Sequence, residues 1–173
     1  MAKGCYLLYP LLVGVLLGLI QTGLFFQLTF TLSSGFATYL LVTLCWLVGS
    51  ALGVLVIARG RIPVGAWLAV ALAAYGLCAV LLGLAPFETG LSPIYAALVG
   101  LAGVYPGVFF ARMSAVYRAR TLFLWENNGF ILGLALGTLL FLLIGRAALW
   151  IAPLLVAAAV SWLGARQHAP GMP

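Results

Sequence analysis

Six long apolar stretches, separated by short connections, take up almost the whole of this chain. They run from about Tyr6 to Leu32, Ala37 to Ala58, Val64 to Ala85, Ile94 to Met113, Leu122 to Ile144 and Ala147 to Leu163. A helix rises 1.5 Å per residue, so about 20 apolar residues cross the roughly 30 Å of bilayer hydrocarbon. Hydrophobic residues make up 66% of the sequence and charged residues 6%, far from the balance of a soluble domain. The expectation is an all-α membrane protein with a single six-helix domain over residues 1–166, followed by a short polar tail over 167–173. The first stretch is long enough to tilt or to project beyond the bilayer.

The connections are turn-formers or charges: Ser33-Ser34-Gly35, Arg59-Gly60-Arg61-Ile62-Pro63, Pro86-Phe87-Glu88-Thr89-Gly90, Arg118 to Thr121, and Gly145-Arg146. Proline lacks an amide hydrogen and glycine loses the most chain entropy on ordering, so both interrupt helices. Such short links make successive helices antiparallel. Lys3, Arg59, Arg61, Arg112, Arg118, Arg120 and Arg166 then fall on one face, and Arg146 falls on the other with Glu88. The positive-inside rule places both termini in the cytoplasm, which predicts an integral protein of a bacterial inner membrane. The net charge of +6 reads as this topology signal. Its arginines lie in short juxtamembrane loops, which argues against a nucleic-acid partner and for contact with anionic lipid headgroups. Lys3 followed by an apolar run resembles a signal peptide, but the run is too long and no small-residue cleavage site follows. An uncleaved first span is expected.

Groups able to perform chemistry are few. The single histidine, His168, cannot supply two axial ligands to a haem. No HExxH, CxxC, P-loop or nucleophile-elbow motif is present. Glu88 and Glu126, the two carboxylates, fall on opposite sides of the membrane and cannot act as an acid/base pair. Cys5, Cys45 and Cys78 have no metal-ligand spacing. The sequence therefore predicts no catalytic residues, no metal site and no cofactor.

Glycine spacing is the distinctive feature that remains. Gly14 and Gly18, Gly49 and Gly53, and Gly103 and Gly107 are each four apart, and Gly129, Gly133 and Gly137 repeat the spacing twice. Glycines at this interval share a helix face and let another backbone approach closely, whether inside the chain or between subunits. A polar cluster, Trp125-Glu126-Asn127-Asn128, lies about one turn inside the fifth span. Ionisable groups at such depth are functional candidates unless paired. An ion pair of Glu126 with Arg112, Arg118 or Arg120 is the favoured expectation, with a proton- or solute-linked role and a subunit contact as alternatives. Gln21 and Gln27 in the first span are expected to make interhelical hydrogen bonds.

Three segments carry a family resemblance: Leu47-Val48-Gly49-Ser50-Ala51-Leu52-Gly53 before the Arg59/Arg61 loop, Tyr105-Pro106-Gly107-Val108-Phe109-Phe110-Ala111-Arg112, and Gly129-Phe130-Ile131-Leu132-Gly133. Their order resembles the membrane domain of spermidine synthase-like proteins, the fused major-facilitator/spermidine synthase group. The resemblance implies a six-helix unit like half of a major-facilitator transporter. Glu126 stands where that family usually has Asn, with Asn127 one position off. The chain ends at Pro173 without the soluble nucleotide-fold domain, so aminopropyl transfer is not expected. The leading expectation is a non-catalytic membrane subunit that assembles a larger complex, through other membrane subunits or self-association, by its Gly-rich faces. The alternative is a homodimeric half-transporter for a small solute. A membrane enzyme acting on a lipid-linked substrate is disfavoured by the missing acid/base and metal groups.

Overall fold

A computed structural model of the chain describes residues 3–33, 35–55 and 57–167. Ser34, His168 and the rest of the tail beyond Gln167 lie outside the described residues, as do the side chains of Lys3 and Cys5. Six α-helices account for the apolar stretches: α1 (Lys3–Thr31), α2 (Phe36–Leu55), α3 (Val64–Leu84), α4 (Ser92–Met113), α5 (Ala119–Ile144) and α6 (Arg146–Gln167). All six are long and apolar enough to cross a membrane, and no strand occurs among the described residues. The all-α architecture with six candidate spans follows from the sequence because a helix satisfies its own backbone polar groups, as hydrocarbon demands.

Helix ends differ from expectation where local chemistry decides them. The second helix stops at Leu55, and Ile57–Arg59 tightens into a 3-10 turn ahead of Gly60 and Pro63. Pro63 is extended, at φ −65° and ψ 152°, and α3 starts immediately after it. Its fixed φ and missing donor suit that place. Pro93 occupies the first turn of α4 for the same reason. The fifth helix begins at Ala119 rather than Leu122, which brings Arg120 inside it. It ends at Gly145, whose φ of +76° is left-handed and whose amide donates to the Phe141 carbonyl at 2.8 Å. That is the helix stop only glycine makes without strain. Pro10, Pro106 and Pro153 lie inside helices, where neighbouring groups in a membrane protein can satisfy the freed carbonyls.

The chain forms two compact units. The first takes α1 through Thr22 together with α5 and α6. Its core includes Val13, Leu16, Leu17 and Ile20 of α1, Leu122 of α5 and Val160 of α6. The second runs from Gly23 to Arg118 and takes the end of α1 with α2, α3 and α4. There α4 packs against both α2 and α3, burying Tyr95, Val99, Tyr105, Val108 and Phe109. The connection after α3 returns to α1, where the Phe87 amide donates to the Thr31 carbonyl at 2.7 Å.

Candidate functional site

The four-spaced glycines pair helices inside each unit. In the first unit a methyl group on Gly14 would overlap the Glu126 carbonyl oxygen and reach within 2.8 Å of the Phe130 nitrogen. One on Gly18 would collide with the Phe130 carbonyl and reach within 2.7 Å of the Leu134 nitrogen. Gly129 and Gly133 return the contact, against the carbonyls of Leu11 and Val15. Gly137 faces the side chain of Thr22 at 3.2 Å, a looser fit. The second unit repeats the arrangement between α2 and α4. Gly49 and Gly53 meet the carbonyls of Gly100 and Val104, and Gly103 and Gly107 meet those of Trp46 and Ser50. The Ser50 hydroxyl donates to the Gly103 carbonyl at 3.0 Å across the same crossing. Small residues are what such close approach in lipid requires. These glycine faces meet inside each unit, the internal one of the two kinds of contact their spacing allows.

Among the described side chains of its own unit, Glu126 makes no ion pair. Glu126 is half-buried on the glycine side of α5, and Arg120 makes no ion pair with it. Within the second unit the Arg112 Nε donates to the Ala58 carbonyl at 3.2 Å, and a terminal nitrogen donates to the Gly60 carbonyl. Arg112 therefore closes the end of the α2 segment, where helical carbonyls run out of partners. Asn127 and Asn128 are exposed.

Gln27 makes the kind of interhelical bond the sequence suggests. Its Nε2 donates to the Tyr75 hydroxyl of α3 at 2.8 Å, both side chains being buried. Gly23 leaves room for this, since a methyl group there would strike the Tyr75 hydroxyl. Gln21 behaves differently: its Oε1 is buried without a partner, as is Oγ1 of Thr22. Tyr95 of α4 is fully enclosed, and its hydroxyl likewise has no partner. The sequence patterns do not single out Tyr75 and Tyr95. The signal that points to them is a phenol hydroxyl within an apolar span, which needs a polar neighbour.

An apolar groove of about 420 Å³ lies along α2 and α4, with Gly49 and Gly100 among its lining and Leu44, Leu52 and Leu101 beside them. Cys45 is the one lining side chain that is not a hydrocarbon. Among the described residues no cluster of His, Cys, Asp and Glu is arranged to hold a metal ion. Comparison with protein-family models, with curated proteins and with solved structures finds no match to this chain.

Proposed function

We propose that this chain is a non-catalytic integral membrane subunit that joins a larger membrane complex through the outer face of α5. One observation carries the reading: Asn128, Ile131, Ala135, Thr138 and Leu142 follow one another at alternating intervals of three and four residues, and all are exposed. That spacing is the seam along which membrane helices pack at shallow crossing angles, and small or polar residues favour it. α5 is also the least buried span, 17% against 72% for α1. An amide facing lipid without a partner costs about 1–3 kcal/mol, so Asn127 and Asn128 favour a protein neighbour with polar or small side chains. The basic loops orient the subunit with Gly60 in the cytoplasm, following the positive-inside rule.

Gentle-detergent purification from the native host, with mass spectrometry of co-purifying chains, tests the reading. Stoichiometric partners should appear with the wild type and be lost with Ala135→Phe, whose bulk falls on the seam and outside both cores. Recovery of the chain alone, or partners retained unchanged in the variant, would refute it.

A second reading is favoured by the buried Gln27–Tyr75 pair and the enclosed Tyr95. Polar groups inside a six-helix unit suit a half-transporter that works as a homodimer, in line with the resemblance to major-facilitator halves. A homogeneous homodimer moving a defined solute into proteoliposomes would promote it.

A further inference from the structure

The apolar groove of the second unit follows from the way α2 and α4 meet. Gly49 and Gly53 lie against the carbonyls of Gly100 and Val104, so the two helices run parallel with their backbones in contact. Larger side chains flank that contact and leave a furrow above it: Leu44, Val48 and Leu52 from α2, and Ala97 and Leu101 from α4, all exposed. At 1.5 Å per residue the furrow from Leu44 to Leu52 is roughly 12 Å long, and it stops roughly 10 Å short of Arg59.

The end of the furrow nearest the α2–α3 connection is basic. Because α2 and α4 are parallel, Arg59, Arg61, Arg112 and Arg118 gather at that end, and Arg112 ties the connection to α4 through the Ala58 and Gly60 carbonyls. Arg59 and Arg61 are exposed. The carboxylate of this unit, Glu88, follows the far end of α3, a helix roughly 30 Å long. An anion for Arg59 and Arg61 therefore comes from outside the unit. Guanidinium groups pair with phosphate oxygens through parallel hydrogen bonds, and a hydrocarbon-lined furrow selects hydrocarbon. We propose that the furrow between α2 and α4 binds one acyl chain of an anionic phospholipid whose phosphate sits on Arg59 and Arg61. A leaflet contributes about 15 Å of hydrocarbon. A chain that starts at Arg59 descends past exposed Leu55 and lays its distal half in the furrow. A second copy of the protein fits this face less well, since a two-fold axis along the membrane normal would bring two such basic ends together against like-charge repulsion.

Photo-crosslinking of the full chain in phosphatidylcholine vesicles tests this. The probes are two lipids with a diazirine in the distal half of one acyl chain, one with a phosphoglycerol and one with a phosphocholine headgroup, each at the same trace density. Mass spectrometry should place the phosphoglycerol adducts on Cys45, Val48, Ala97 and Leu101, several-fold above the phosphocholine adducts there. Arg59→Gln with Arg61→Gln should remove that headgroup preference. Ala97→Phe fills the furrow from an exposed position and should lower the adducts several-fold, whereas Ala73→Phe on the exposed face of α3 should not. Equal labelling by the two headgroups in the wild type overturns the proposal. So do adducts as frequent at Leu77 and Val80, exposed on α3, as in the furrow, which is the pattern of bulk lipid. A furrow without adducts, in chains that a short bifunctional thiol reagent joins through Cys45, gives the face to a second copy and overturns it as well. The wild-type comparison decides even if a variant does not fold.

Discussion

At Gly103 an added methyl group would lie 2.6 Å from the Trp46 carbonyl oxygen and 3.0 Å from the Trp46 Cα. Both atoms are backbone, so relief means separating α2 from α4 along their whole crossing. Gly103→Ala should therefore destabilise the protein by about 1–3 kcal/mol, the usual range for overpacking. Gly76 has nothing within 4 Å of the same position. There alanine relieves only the entropy cost of glycine in a helix, and Gly76→Ala should stabilise by about 0.5–1 kcal/mol. Thermal unfolding in detergent with tryptophan fluorescence separates the two, and equal effects would mean that backbone proximity is not what selects glycine at Gly103. Glu126 invites the complementary experiment. With no ion pair among the described side chains of its unit, Glu126→Gln should leave thermal stability within about 0.5 kcal/mol of the wild type, as for substitutions away from buried networks. A loss of several kcal/mol would reveal a charged partner.

At the scale of elements, the connections hold the helices at their ends. Arg112 on α4 donates to carbonyls of Ala58 and Gly60 beyond α2. Arg112→Ala removes both bonds and should cost about 1–2 kcal/mol, while Arg112→Lys keeps the charge but loses the planar fork that reaches two carbonyls. Intermediate stability for the lysine variant would show that geometry contributes beyond charge. The topology itself is testable with single cysteines at Gly60 and Thr89 in a cysteine-free background. They flank α3, so an impermeant thiol reagent should label them from opposite sides of the membrane. Labelling of both from one side would end the six-span reading. Helix existence was legible because long apolar runs ended at Pro63, Gly145 and similar signals. The early end of α2 was not, since Val56 to Ala58 remain apolar and only the 3-10 turn at Ile57–Arg59 marks the change.

For the molecule as a whole, the glycine pairs join helices far apart in sequence: α1 with α5 in one unit and α2 with α4 in the other. With those faces covered, the exposed α5 seam is the surface on which the proposed subunit role is tested. Double substitution of Asn127 and Asn128 by leucine should weaken assembly in co-purification without lowering the unfolding temperature. A fall in stability with partners retained would instead place these amides in the fold.

From the residues alone follow the solvent of this protein, its six candidate spans and the faces on which their glycines gather. Each depends on residues within one turn or one span, because a membrane helix completes its hydrogen bonds locally and its length answers to the bilayer. The packed fold alone sets which glycine face meets which, that Gln27 binds Tyr75 across 48 positions, and that Arg112 turns to the carbonyls of Ala58 and Gly60. Nearly uniform apolar helices carry no strong pattern that names their neighbours. Their pairing is chosen by how closely two backbones fit, and that shape exists only once the helices are packed.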